Sequence, residues 1–323
     1  MAGGQERELR RRIRTVESTK KITRAFELIA ASQIVRAQGR ISGARPYVAG
    51  MERVLATVAA DATGAGRLVG TPEEVRSVLL VLVVADRGLC GGYNSIALRT
   101  AERIVRAGEA EGRRYTLVTV GRKAPAYFRF RGRLVDRSFS QMTDRPTFGD
   151  ARAVASEVVA PFLAGEVDLV QLVSWRFHSA GVQSVVTRQV LPLVPSDARR
   201  SDRSRPDAEA PADAAAAPGF YDFEPAPEEL LELLVPQYAE AVLYQALLEA
   251  SASEHTARQR AMAAATENAE EFITTLRRVM NRVRQDAVTT EIMEIVGGAE
   301  ALRQAGPAGY VDIDAEHTEE QSA

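Results

Sequence analysis

A glycine-rich segment, Asp86–Asn94, comes closest to a binding motif in this chain. It follows a strongly apolar run, as phosphate-binding loops follow strands. However, it lacks the GK[ST] ending of a P-loop, and Gly88, Gly91 and Gly92 do not form GxGxxG. The simpler interpretation is a tight strand-to-helix turn whose glycines supply positive φ angles.

Residue types that commonly perform catalysis are few and scattered. The histidines, His178, His255 and His317, lie far apart, and no His, Asp or Glu cluster has metal-ligand spacing. Cys90 is the only cysteine, so an intrachain disulfide is excluded and no paired histidine is in view. The sequence therefore predicts no catalytic residue, no metal and no cofactor.

A second polar group lies near the C-terminus, at the end of an apolar seam. Arg284, Gln285, Thr289 and Glu291 lie where a partner can contact them, although a solvated helix face is the simpler interpretation. The seam steps by four and three residues, which is the coiled-coil period. Its members are Met262, Thr266, Ala269, Ile273, Leu276, Met280, Val283 and Ala287.

Two long helices are predicted to present these groups. The first runs from about Gln5 to Ala62 and the second from about Pro227 to Glu300, stopping at Gly297–Gly298. Pro46 and Pro236 are expected to kink them. Neither helix can bury its apolar stripe alone, because isolated helices are marginal in water. The simplest packing is an antiparallel coiled coil.

The middle of the chain predicts an α/β domain. Ser77–Ala85 is apolar on both faces, which is typical of a buried parallel strand. Strands alternating with helices favour right-handed crossovers and a Rossmann-like, mostly parallel sheet. The other predicted elements are strands at Tyr115–Val120, Leu134–Phe139, Val167–Phe177 and Val182–Leu193, and helices at Ser95–Glu111 and Phe148–Leu163.

Composition completes the division into domains. The chain has 323 residues, a net charge of -2, 46% hydrophobic and 6% aromatic residues, which fits long helices. No apolar run approaches the roughly 18 residues of a membrane span, so a soluble protein is expected. The predicted regions are an N-terminal coiled-coil helix (1–63), an α/β foot domain (70–195), a disordered insert (196–227), a C-terminal coiled-coil helix (228–300) and a flexible tail (301–323).

Five segments of the chain form a recognisable set: Thr19–Ser32, Asp86–Asn94, Ser253–Arg258, Asn281–Gln285 and Glu294–Ala299. Together they resemble the bacterial F-type ATP synthase gamma subunit family, and they occur in the family's order and spacing over about residues 5–302.

The resemblance implies a noncatalytic rotor subunit, present as one copy per complex. In the family, the coiled coil turns inside a ring of alpha and beta subunits, and ion flow through the membrane drives ATP synthesis on beta. The foot domain contacts the epsilon subunit and the c-subunit ring. The implied location is the cytoplasmic side of the cell membrane, as a peripheral protein, with no nucleic acid bound.

The resemblance also implies which residues contact the beta subunits. Arg284, Gln285 and Thr289 would make polar contacts near the upper shaft. Arg258, the segment around Phe26 and the loop from Arg87 to Cys90 would contact beta, or support a contact, lower down. The family commonly has methionine where this chain has Phe26. The insert is longer than the bacterial pattern, and we hypothesise that it modulates rotation.

Two other functions remain open on the residues alone. The α/β domain could be a free-standing nucleotide-binding enzyme, and micromolar binding of ATP or NAD would favour that function. Residues 1–45 are strongly basic, so the chain could instead be a coiled-coil scaffold for nucleic acid. Salt-sensitive DNA binding would favour the scaffold.

Overall fold

The computed structural model describes residues 2–62, 67–70, 72, 74–194 and 223–304. The chain divides into two compact units, a sheet unit (residues 23–264) and an end unit (residues 1–22 and 265–323). The helices of the described residues are α1 (Ala2–Asp61), α2 (Tyr93–Ala110), α3 (Lys123–Phe130), α4 (Phe148–Leu163) and α5 (Pro227–Gln304). The strands are β1 (Ser77–Val83), β2 (Arg114–Val120), β3 (Arg137–Phe139), β4 (Leu169–Phe177) and β5 (Gln183–Leu191).

The sheet has the order β3-β2-β1-β4-β5. β1 pairs in parallel with both β2 and β4, and β2 pairs in parallel with β3. β5 is antiparallel to β4 and forms one edge. The central strand β1 is buried on both faces, as its unbroken apolar run predicted. The mostly parallel α/β fold predicted from the sequence is confirmed.

The two faces of the sheet are covered by different helices. Because side chains alternate along a strand, Leu80 and Leu82 pack with α2 and α3, where Ala101 and Phe128 are buried. Leu79 and Val81 belong to the opposite face. That face is covered by α4 and by parts of the two long helices, through the buried residues Val154, Val158, Phe162, Leu55, Val58, Leu231, Leu243 and Leu247.

In the sheet unit, α1 and α5 run antiparallel. Ala37 and Ile41 pack with Leu248 and Ala252 in one buried cluster. Further along α1, Leu55 lines a small cavity together with Tyr238 of α5. The residue number in α5 falls as the number in α1 rises, so the two helices are antiparallel.

In the end unit, the same two helices pair through a narrow core. Ile13, Ile273 and Leu276 are buried there, with Leu9, Val16 and Met280 packed against them. Salt bridges flank the core: Lys20 Nζ lies 2.5 Å from Glu270 Oε1, and Arg277 Nη2 lies 2.7 Å from Glu17 Oε1. The pairing is again antiparallel, so the predicted antiparallel coiled coil is confirmed.

Some predicted boundaries were wrong. α5 does not stop at Gly297–Gly298 but continues to Gln304, so residues 301–304 are helical rather than tail. A glycine inside a helix costs only about 1 kcal/mol relative to alanine, and the helix-forming Ala299–Leu302 follow. α3 was not predicted, and β3 is shorter than the predicted Leu134–Phe139.

Other predictions concern the prolines and the polar segments. Both long helices continue through their prolines, Pro46 and Pro236. The predicted insert lies outside the described residues up to position 222, and the predicted tail lies outside them from position 305.

Candidate functional site

The glycine-rich loop connects β1 to α2 and is closed by its own polar groups. Asn94 Oδ1 accepts a hydrogen bond from the Ala85 amide at 2.8 Å, and Asn94 Nδ2 donates to Cys90 Sγ at 3.2 Å. Gly91 has a φ of 55°, in the left-handed region that favours glycine. The expectation that glycines supply the positive φ angles of the turn holds for Gly91 only, because Gly92 has a φ of -78° and the other positive φ in the loop belongs to Leu89.

Asp86 connects this loop to the loops that follow the carboxyl ends of the neighbouring strands β2 and β3. Its Oδ2 accepts from the Thr143 amide at 3.3 Å and from Thr143 Oγ1 at 3.1 Å. Its Oδ1 accepts from the Arg122 amide at 3.1 Å. The Asp86 carboxylate is therefore occupied by hydrogen bonds that join the glycine-rich loop to the segments around Arg122 and Thr143.

Two aromatic residues connect the start of α2 to β4 and α5. The rings of Tyr93 and Trp175 are stacked with centroids 5.2 Å apart, and Trp175 Nε1 donates to the Tyr93 carbonyl at 3.1 Å. Tyr93 Oη donates to the Ala250 carbonyl at 3.1 Å. Burial raises the pKa of Tyr93 well above its usual value, so it stays a neutral donor.

The facing turn of α5 carries a buried ion pair. Arg258 is only 9% exposed, and its Nη2 donates to Glu254 Oε1 at 2.5 Å. The same nitrogen lies 3.5 Å from the Gly88 carbonyl of the loop. Burial raises the pKa of Glu254 despite the opposing effect of Arg258. Glu254 Oε2 accepts no hydrogen bond from any described residue.

A buried histidine lies beside this pair. His255 Nε2 is 3.2 Å from the Asp144 carbonyl, which also accepts from Ser251 Oγ at 3.0 Å. Burial lowers the pKa of His255 below its ordinary value, so the ring is neutral at pH 7. With its proton on Nε2, Nδ1 can accept from Arg258 Nη1 at 3.4 Å. We call Asp86, Tyr93, Asp144, Glu254, His255 and Arg258 the loop–helix network.

Cys90 is a buried residue of the loop, with 2% of its surface exposed. Burial, followed by the charge of Glu254, raises the pKa of its thiol. The thiolate is the nucleophilic form of cysteine, so this thiol is unreactive at neutral pH. Its position supports the interpretation of Cys90 as a small residue in a turn.

The structure thus brings three of the sequence-predicted contact residues into one neighbourhood. Cys90 and Arg258 are buried, and Arg87 is exposed at the loop surface. Phe26 is exposed on α1 in the same unit. Sequence reasoning missed that Glu254 pairs with Arg258, although a carboxylate four residues before an arginine on a helix is a recognisable signal.

The end unit presents a different kind of surface on α5. Arg284, Gln285 and Thr289 are all exposed, and Thr289 Oγ1 donates to the Gln285 carbonyl at 3.0 Å. Within the described part of α5, no residue after Leu276 is buried. Large apolar side chains are exposed in this segment: Val288, Ile292, Met293, Ile295, Val296 and Leu302.

The part of the chain that the structure describes contains neither a metal site nor a membrane-spanning helix. In the described ranges, no group of three or more His, Cys, Asp and Glu side chains is placed to hold a metal ion. Among the same residues, no helix has a stretch apolar and long enough to cross a bilayer. The candidate sites of the described chain are therefore a closed buried network and exposed helix surfaces.

These features define a class of protein: two long antiparallel helices that carry a small, mostly parallel sheet. A family model described as ATP synthase matches residues 5–302. The ATP synthase gamma chain of Parafrankia sp. (strain EAN1pec) is 45% identical over 303 residues, which cover 93% of this chain and 98% of that one. The gamma chain of Moorella thermoacetica is 41% identical, covering 92% and 99%. The chain belongs to the ATP synthase gamma-chain family.

Solved structures agree with this assignment. A chain in the central stalk and c-ring structure of Tetrahymena thermophila mitochondrial ATP synthase is 25% identical, with a TM-score of 0.56, covering 76% of this chain and 99% of that one. A chain of the Euglena gracilis mitochondrial ATP synthase shares the fold, with a TM-score of 0.65 at 17% identity over 96% and 98% of the two chains. The chain has the role of a central-stalk gamma subunit.

Proposed function

We propose that this chain is a noncatalytic rotor subunit that couples ion-driven rotation to ATP synthesis or hydrolysis on beta subunits. The observation that carries the proposal is the exposed surface of α5 beyond Leu276. Exposed apolar side chains so close together mark a protein interaction surface. A surrounding ring of alpha and beta subunits would cover it.

The polar residues on this surface suit contacts that form and break during rotation. Arg284, Gln285 and Thr289 are exposed, and an exposed polar or ionic contact contributes only about 0–1 kcal/mol. Such contacts with beta subunits can be exchanged at each step without trapping the rotor. The driving energy is larger, about 2.3 kcal/mol per charge for each 100 mV of membrane potential.

The sheet unit would contribute contacts of two kinds. Arg87 and Phe26 are exposed and can touch a beta subunit directly. Arg258 and Cys90 are buried, and we propose that they support such a contact by holding the loop. This division agrees with the loop–helix network, in which Arg258 bonds to groups of its own chain.

The proposed partners are the alpha and beta subunits, an epsilon subunit and the c-subunit ring, with one copy of this chain per complex. The similar Tetrahymena chain occurs in a structure of the central stalk with the c-ring, which supports the last contact. The proposed location is the cytoplasmic side of the cell membrane, reached through the membrane sector. Modulation of rotation by the insert, outside the described residues, stays a hypothesis.

Co-purification with an ATP hydrolysis assay tests the function. We expect the tagged chain to isolate a complex with alpha, beta and epsilon subunits that hydrolyses ATP, and we expect the purified chain alone to be inactive. A chain that isolates no such subunits, or that hydrolyses ATP by itself, would contradict the proposal. Micromolar binding of ATP or NAD to the purified chain would favour the enzyme hypothesis instead.

A triple substitution tests the contact surface. Arg284→Ala, Gln285→Ala and Thr289→Ala together should lower the ATP hydrolysis rate of the complex several-fold, since about 0–1 kcal/mol is lost at each contact. Asn268→Ala, at another exposed position of α5 in the end unit, is the matched control and should leave the rate unchanged. Equal rates for both variants would remove these residues from the proposed contacts.

A further inference from the structure

Arg188, on the edge strand β5, contacts both long helices, α1 and α5. Arg188 lies on β5, and its Nη2 donates to Glu52 Oε1 of α1 at 2.6 Å. The same nitrogen donates to Tyr238 Oη of α5 at 3.1 Å. A single guanidinium therefore links the edge strand to both long helices.

The strand places this charge on the face of the sheet that the long helices cover. Arg188 pairs with Leu172 of β4, which belongs to the core of that face, whereas Val185 packs on the opposite face. Because directly opposite residues of an antiparallel pair point to the same side of the sheet, Arg188 shares the face of Leu172. An apolar residue would be ordinary at such a position, so the charge needs a reason.

The surroundings of the pair are mostly apolar. The side chains of Arg188 and Glu52 are 29% and 12% exposed. Glu52 and Tyr238 also line a small cavity with Leu55 and Leu193. Burial opposes the charge of Arg188, but Tyr238 and Glu52 outweigh burial and raise its pKa. The guanidinium is therefore permanently charged and fixed between its two acceptors.

The hydrogen bonds of Arg188 differ from the surrounding apolar contacts in that they depend on direction. Apolar packing is non-directional, so a helix can turn or slide slightly on an apolar surface with little loss. A charge-assisted hydrogen bond from a planar guanidinium is directional. Buried ion pairs add little net stability compared with apolar replacements, and fixing register is the role best supported for them.

We propose that Arg188 is a positioning residue that fixes the register of α1 and α5 against β5. In a rotor, this register sets the torsional stiffness between the α/β domain and the helices that carry it. The stiffness part rests on the proposed rotor function, whereas the register part concerns the chain alone. The two parts are therefore tested separately.

The test uses a double substitution, Arg188→Met with Glu52→Met, which removes both charges but keeps apolar bulk. The matched control is Arg152→Met with Glu240→Met, because Arg152 Nε lies 3.3 Å from Glu240 Oε2 and links the α/β domain to α5 only, at a more exposed site. Arg188→Lys is the conservative variant, which keeps the charge but loses the planar fork. The melting temperature is measured for the parent and for each variant.

Register is measured on the purified full chain. Spin labels at the exposed positions Val54→Cys on α1 and Thr187→Cys on β5 report the distance between these elements. We expect the Met pair to broaden the distance distribution about two-fold at an unchanged melting temperature, Arg188→Lys to broaden it less, and the control pair to leave it unchanged. A distribution as narrow as the parent's in both Arg188 variants overturns the proposal.

Stiffness is measured in the assembled complex, with a particle attached at the exposed Ala110→Cys on α2. We expect the angular variance of the stalled rotor to rise at least two-fold in the Met pair and to stay unchanged in the control pair. Unchanged variance overturns the stiffness part. If the parent complex does not rotate with ATP, the rotor function fails, while a broadened spin-label distribution still supports the register role.

Discussion

The helices α1 and α5 pair in both units of the chain, but they are held by different means. In the sheet unit, a wide apolar core packs against both helices, and polar groups of α5, such as Glu254 and Arg258, are buried beside the glycine-rich loop. In the end unit, Ile13, Ile273 and Leu276 form a narrow core, and the flanking ion pairs are exposed. Identical secondary structure therefore has very different support.

The difference teaches how one helix pair can serve two mechanical purposes. Buried polar networks fix geometry, because a buried group that loses its partner pays the full cost of desolvation. Exposed pairs contribute about 0–1 kcal/mol and can be exchanged. The sheet unit is therefore suited to holding a fixed arrangement, and the end unit is suited to contacts that change.

The largest expected difference between the two units comes from breaking an ion pair in each. Arg258→Met leaves Glu254 buried without its cation and should lower the free energy of unfolding by about 3–5 kcal/mol. Arg277→Met breaks the exposed pair with Glu17 and should cost about 0–1 kcal/mol. Urea unfolding of the full chain measures both. Equal losses would show that the two units are supported alike.

The next comparison removes one leucine from each core. Leu247→Ala empties a fully buried site between the sheet and the helices and should cost about 4–5 kcal/mol, at the upper end of such substitutions. Leu276→Ala in the narrow core should cost about 2 kcal/mol, because neighbouring side chains and water can fill the space. Val279→Ala, at a half-exposed position, is the control and should cost less than either.

Much of the fold could be predicted from the sequence, because its signals are local. The unbroken apolar run of β1 and the four–three seam of α5 each indicate one structure over many residues. Boundaries were predicted less well, since Gly297 and Gly298 weaken a helix without ending it. The short helix α3 has no comparable pattern, and it is set by its packing through Phe128.

The candidate site could be predicted only in part. The resemblance named Arg258 and Cys90, but nothing in the sequence shows that both are buried. Their burial depends on residues distant in the sequence: Cys90 belongs to a cluster that Trp175 and Ala257 pack against, and Arg258 lies against the Gly88 carbonyl. The exposure of Arg284 was easier to predict, because this residue lies on a helix whose apolar seam has a regular period.

A smaller effect is expected from a buried carboxylate of the sheet unit. Burial raises the pKa of Glu249, although Gln245, Arg176 and Arg45 oppose the rise. Folding therefore favours the protonated form, and the stability from this residue is full below its unfolded pKa and is lost as pH rises through the folded pKa. Glu249→Gln removes that loss.

Unfolding measurements from pH 4 to 8 check this prediction. The variant should gain stability on the parent as pH rises across this range, because only the parent has a buried carboxyl that must ionise. Glu271→Gln, an exposed position of the end unit, controls for the substitution itself. A gain that appears on acidification instead would mean that the arginines outweigh burial at Glu249.

The smallest effect concerns the loop of the sheet unit. Leu89 is 60% exposed and has a φ of 63°, a region that costs a residue with a side chain about 1–2 kcal/mol. Leu89→Gly relieves this strain but adds freedom to the unfolded chain, so a net gain of about 0.5 kcal/mol is expected. If Leu89 also contacts a beta subunit, the complex that contains the stabilised chain should hydrolyse ATP more slowly. A more stable chain whose complex hydrolyses ATP at an unchanged rate would show that Leu89 has no part in such a contact, and Arg87 would stay the proposed contact residue of the loop.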